Sequence, residues 1–216
     1  MEQYATLIQT IALTMGVAWA SGLNLYGTLL ALGIMSNTGY VDLPADLQIV
    51  GDPLVIAAAG LMYAVEFFAD KVPGVDTGWD TLHTFVRIPA GALLAAGVIG
   101  DVQPAAELAA AIVGGSIAAG THFTKAGSRV MINTSPEPVS NWSASILEDI
   151  AVFAGLWAAV QHPYVFIGLL AVFIIIAIWL LPKLWRGVKR VYSFFINFFS
   201  SKSTDDEADS NMPIIK

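Results

Sequence analysis

The sequence predicts an all-α polytopic membrane protein of about six transmembrane helices, and three observations carry that expectation. First, 56% of the residues are apolar and 12% are charged, with a mean hydropathy of +0.68, values that soluble domains rarely reach. Second, six apolar stretches recur, near 5–36, 53–70, 84–100, 104–133, 143–160 and 164–182, and a helix needs roughly 20 residues to cross a bilayer. Third, the ten basic residues fall on alternate connections. Lys71 and Arg87 bracket the second connection, Lys125 and Arg129 end the fourth stretch, and Lys183, Arg186, Lys189, Arg190, Lys202 and Lys216 follow the sixth. Asp42, Asp46, Asp52, Asp101 and Glu107 hold the connections between. Lys and Arg are retained on the cytoplasmic side during insertion, so this alternation predicts six crossings with both termini cytoplasmic.

The net charge of −7 reflects the acidic outer loops and tail, and no nucleic-acid partner is expected. The absence of cysteine excludes disulfides, thiolate metal sites and Cys nucleophiles. The opening Met-Glu-Gln-Tyr has no basic n-region, so no cleavable signal peptide is expected.

Taken in order, the first and fourth stretches run to about 30 residues, too long for one straight span. Each carries a polar, small-residue interruption, Ser21-Gly22-Leu23-Asn24 and Gly120-Thr121-His122. A shift of 98 residues sets Gly16, Ala20, Gly22 and Asn24 on Gly114, Ala118, Gly120 and His122. The reading is two inverted three-helix repeats, about 5–100 and 104–182, with interrupted first and fourth helices. Such paired Gly interruptions point to a transporter-type site, although Ala/Gly-rich helices also serve plain helix packing. After Pro182, Lys183, Arg186, Lys189, Arg190, Ser193 and Asn197 share one helical face, and Trp185, Val188, Val191, Tyr192 and Phe195 the other. That pattern predicts a basic amphipathic helix over 183–199, lying on anionic lipid headgroups. Residues 200–216 are too polar to pack and read as a disordered acidic tail.

Polar residues concentrate in two segments, 66–87 and 121–149. Glu66 and Asp70 sit four apart near the end of the second crossing, where helix capping asks for no acids. With the chain helical from about 76, Asp76, Asp80, His83 or Thr84, and Arg87 fall on one face, either a solvated stripe of intrahelical pairs or the wall of a polar vestibule. His122, Lys125 and Arg129 recur at i, i+3 and i+7, with His122 roughly 27 Å along the fourth crossing. Two cations and an imidazole suit a phosphate, carboxylate or lipid headgroup, whereas the plain alternative is a pair of anchors snorkelling to the interface. Ser145 to Glu148 fits a capping box for the fifth crossing. Asn24, Glu66, His122, Lys125 and Arg129 are therefore the candidate substrate-binding residues, and Asp70, Asp76, Asp80, His83 and Arg87 the vestibule. No resident metal or cofactor is expected. The motifs of nucleotide loops, zinc helices and nucleophile elbows are absent, and His83, His122 and His162 are scattered.

The runs Val65-Glu-Phe-Phe-Ala-Asp-Lys-Val-Pro-Gly-Val-Asp76, Arg87-Ile-Pro-Ala-Gly91, His122-Phe-Thr-Lys-Ala-Gly-Ser-Arg129, Asn133-Thr-Ser-Pro-Glu-Pro138 and Glu148-Asp149, with Ala20-Ser-Gly-Leu-Asn-Leu-Tyr26, carry a resemblance. Over about 15–160 the chain resembles the bacterial membrane family known as domain of unknown function 4126. The resemblance implies a polytopic inner-membrane protein and brings no substrate. The residues themselves suggest a small channel or secondary transporter for a polar or anionic solute or lipid headgroup, through an inward-facing cavity. An enzyme acting on a lipid phosphate with a carboxylate- and His-bound metal is one alternative. A non-catalytic assembly or lipid-organising protein is another. A homodimer would suit the many small residues.

Overall fold

The computed structural model describes residues 2–100, 103–134 and 138–210, with the backbone alone at 138, 195 and 197–210. These residues form helices α1 (Glu2–Leu23), α2 (Leu25–Asn37), α3 (Pro53–Ala69), α4 (Val75–Ile99), α5 (Pro104–Ile132), α6 (Pro138–Gln161) and α7 (Pro163–Ser210), and a 3₁₀ turn at Ala45–Gly51. Four of them open on proline, whose missing N–H costs nothing in a first turn. Five helices are long and apolar enough to cross a membrane, or six if the 3₁₀ turn and α3, bent by 65°, count as one span. The all-α membrane class expected from composition is what the chain adopts.

Helix directions follow from which residues meet. Gly22 abuts Ala118 and Thr121 while Gly114 abuts Ala18, so α1 and α5 run parallel. Gly127 meets Leu184 and Gly187 meets Met131, so α7 runs the same way. Gly91 meets Ala118 and Gly114 meets Ala95, so α4 opposes them; so does α6, where Gly16 meets Ala159 and Gly155 meets Trp19. Along α2 and α3, Gly27, Leu30 and Gly33 meet Tyr63, Gly60 and Ile56, an antiparallel pair.

The first stretch is therefore no single crossing. It is a V with its point at Asn24, and residues 40–42 return beside Thr6, Thr10 and Leu13. Asn24 turns the chain in an extended conformation (φ −148, ψ 101), its Oδ1 accepting from the Gly27 N–H at 2.7 Å. The fourth stretch, read as interrupted, is one continuous helix of 29 residues. His122 cannot cap a new helix as Asn24 does, because its ring is turned onto Thr84 and Arg87, and a glycine alone costs a helix only about 1 kcal/mol. Two expectations fall with the V. The halves are not inverted, since α1 and α5 share a direction, and the two ends of the described chain lie at opposite ends of the bundle.

Three further boundaries differ. Helix α4 begins at Val75, nine residues before the expected stretch, so the polar face of 76–87 belongs to the span. Helix α6 begins at Pro138, which leaves Ser145 and Glu148 in its interior rather than at its cap. Helix α7 passes through Pro182 to Ser210 without a break, so the basic stretch continues the last span. Residues 211–216, and the side chains of Asn197 and Phe195, lie outside the described part.

At the centre, α1, α4 and α5 close on small residues. A Cβ on Gly22 would lie 2.5 Å from the Ala118 carbonyl oxygen, and one on Gly91 would lie 2.7 Å from Ser21 Oγ. Such contact lets backbones approach without large side chains between them. Gly114→Val, forced into Ala95 and the Gly91 carbonyl, is expected to destabilise the bundle by about 1–3 kcal/mol. Gly120→Ala, facing open space, should raise the thermal midpoint in detergent slightly, by relieving the roughly 1 kcal/mol that a mid-helix glycine costs.

Candidate functional site

The V delivers Leu23 and Asn24 into a buried ionic cluster built from α3, α4, α5 and α6. Glu66, Asp80, Arg87, His122, Lys125 and Arg129 are each at most 3% exposed, and Asp70 is 2% exposed. None of these groups is solvated or snorkelling. Both surface alternatives for them are therefore excluded.

Arg87 is held by two acids from different helices. Its Nη1 donates to Asp80 Oδ1 at 2.9 Å, two turns back on α4, and its Nη2 donates to Glu66 Oε1 on α3. Lys125 Nζ donates to Asp70 Oδ2 at 2.7 Å and to the Leu23 carbonyl at 3.0 Å. That carbonyl is one the break in the first stretch sets free, and a cation suits the C-terminal end of a helix. Glu66, Asp80 and Glu148 each lie 3.7 Å from the same ammonium. Arg129 forks onto Glu148, Nε to Oε1 at 3.3 Å and Nη2 to Oε2 at 2.6 Å. Its Nη1 donates to Asn141 Oδ1 and to the carbonyls of Asn141 and Asp70, at 3.0 and 3.2 Å. Arg129 thus ties α5 to α6 and to the end of α3.

The tautomer of His122 follows from its partners. Arg87 Nη1 can only donate, so His122 Nδ1 accepts at 3.2 Å. Thr84 Oγ1 spends its proton on the Asp80 carbonyl, so it accepts from His122 Nε2–H at 2.7 Å. The ring is neutral, protonated on Nε2. His83 stands apart from it, stacked on Trp79 at 4.3 Å, with Nδ1–H on the Trp79 carbonyl and Nε2 accepting from Tyr26. Asp76 is also separate and fully buried, accepting from the N–H groups of Gly74 and Thr77 and from Asn133 Nδ2. The sequence-derived site therefore divides: Asn24, Glu66, Asp70, Asp80, Arg87, His122, Lys125 and Arg129 converge, while Asp76 and His83 lock the start of α4.

Several partners escaped sequence reasoning. Glu148, expected as a cap, is the counterion of Arg129. Asp149 accepts from Asn24 Nδ2 at 3.1 Å, and Lys71, one of the basic residues bracketing the second connection, donates to the Phe67 carbonyl and Ser145 Oγ. Burial holds the Lys71 ammonium below the usual lysine range, against the pull of Asp149 and Asp70. Thr84, which shares the polar face of α4 as the alternative to His83, is the one that meets His122, whereas Asn141 gave no signal, being an ordinary polar residue whose partner Asp70 lies far away in sequence.

Four carboxylates (Glu66, Asp70, Asp80, Glu148) face three cations (Arg87, Lys125, Arg129) in salt bridges. Glu66 Oε2, Asp70 Oδ1, Asp80 Oδ2 and Arg87 Nε are buried with no partner. The carboxylates point at the cations rather than at one another. Among the described residues no three His, Asp or Glu side chains are grouped to hold a metal.

Nothing among curated proteins or solved structures matches the chain. A match comes at the family level, and it spans residues 11–183, from within α1 to just past Pro182. That range takes in every residue of the ionic cluster, and the chain belongs to the family described as domain of unknown function 4126.

Proposed function

We propose that this protein is a small membrane transporter whose ionic centre takes up and releases a proton or a small cation. One observation carries the reading: acids outnumber basic partners in the cluster, and Glu66, Asp70 and Asp80 each keep one buried oxygen without a partner. Ionisable groups within a span are costly and mark ion pathways or relays. An anionic solute fits less well, because Lys125 and Arg129 are taken up by Asp70 and Glu148. The same consumption removes the phosphate clamp that a lipid-phosphate enzyme would need. The charge rule puts the cluster end and the end of α7 on the cytoplasmic side of an inner membrane. Anionic lipid is a fitting partner there, since Arg190 lines a groove of about 850 Å³ beside Asn133 and Thr134.

The test is proton and monovalent-cation flux into proteoliposomes, comparing the wild-type protein with Glu66→Gln. The variant keeps the side-chain shape and is expected to lower flux at least tenfold while eluting as a monodisperse peak. Equal flux from both proteins under every imposed gradient would refute the reading.

A further inference from the structure

Asp149 is a buried carboxylate beside the cluster that no salt bridge closes. It is 7% exposed, Asn24 Nδ2 holds its Oδ1, and its Oδ2 is buried without a partner. Among the described residues it forms no salt bridge; the pairs at this level belong to Glu66, Asp70, Asp80 and Glu148.

This carboxylate lines a cleft of about 440 Å³ between α3 and α6, walled by Tyr63, Phe67 and Phe153. The three rings form a connected set, Tyr63 to Phe153 edge-on at 5.6 Å and Tyr63 to Phe67 tilted at 6.2 Å. Aromatic faces attract cations through their quadrupole, and a carboxylate adds full charge. The protein already uses this wall for a cation of its own: Lys71 Nζ lies 2.9 Å from the centroid of Phe67. Its hydrogen bonds go to the Phe67 carbonyl and Ser145 Oγ; it attracts Asp149 without bonding to it, and Asp149 Oδ2 keeps no hydrogen-bond partner.

We propose that this cleft binds a protonated amine bearing an apolar substituent. The ammonium donates to Asp149 Oδ2, and the substituent lies against Tyr63 and Phe153. An N–H donor is specified because the free group is an acceptor; an apolar body is specified because rings and aliphatic side chains form the rest of the wall. That the amine is the transported species rests on the transport reading above. Binding does not.

The experiment is calorimetric titration of the full chain in detergent with benzylammonium and with benzyl alcohol, which has a similar shape and no charge. The wild-type protein is expected to prefer the amine at least about tenfold, Asp149→Asn to erase that preference, and Phe153→Leu to weaken amine binding about three- to tenfold. No amine binding by the wild-type protein, or an undiminished preference in Asp149→Asn, overturns the proposal. Phe153 is 37% exposed, so Phe153→Leu stays informative if Asp149→Asn does not fold, and unchanged amine affinity there also overturns it. Amine binding without any flux would sink the transport reading and leave the site standing. Ion flux without amine binding would do the reverse.

Discussion

Arg87→Met is expected to destabilise the protein by about 3–5 kcal/mol, the range for breaking one side of a buried ion pair. Arg87 is fully buried and joins Glu66 to Asp80. Without it both acids keep their burial and lose their principal partner, with only Lys125, at 3.7 Å from each, to share. Met fills much of the same volume, so the loss reports charge rather than a hole. The combination Arg87→Met, Glu66→Gln and Asp80→Asn should recover most of the loss, because the uncompensated charges go with their partner. Thermal unfolding in detergent, with yield of monodisperse protein, measures both steps. A single variant as stable as the wild-type protein would show that the cluster contributes nothing to the fold.

Arg129→Lys is expected to be nearly as damaging as Arg129→Ala, although the charge is kept. The guanidinium places donors on Glu148, Asn141 and the Asp70 carbonyl at once. An ammonium is a point charge on a flexible stem and cannot serve three directions in that plane. Each buried acceptor left bare costs about 1–3 kcal/mol. Truncation to Ala adds an unpaired Glu148, about 3–5 kcal/mol in all. The contrast with Lys125→Arg is instructive. Lys125 meets its partners as a compact charge among Asp70, Glu66, Asp80 and Glu148, and a larger planar group would have to displace the Leu23 carbonyl it caps.

The class of the molecule was legible in composition, because the bilayer penalises charge wherever it is not paired. So was the peculiarity at Asn24, as a polar interruption in an overlong stretch. Its meaning was not legible. A single extended residue with a side-chain cap reads the same whether the chain kinks or reverses, and what decides is that Leu30 and Gly33 pack on α3. Hydropathy also leaves polar turns outside the apolar stretches, which is why the stretch at 84–100 marks only the later part of the helix that begins at Val75. The site residues were found because acids and bases are scarce here. Their pairing was not, since Lys125 and Asp70 are 55 positions apart and Arg87 and Glu66 are 21. Local spacing instead suggested a cap for Glu148 and an anchor for Arg129. Both local explanations yielded to a longer-range partner.

The reversal at Asn24 also bears on topology. With α1 and α2 hinged together, the first 40 residues begin and end at the same end of the bundle, opposite the ionic cluster. The remaining helices then thread an odd number of times. A donor–acceptor dye pair attached near Thr6 and at the far end of α7 would be held apart by the thickness of the bilayer.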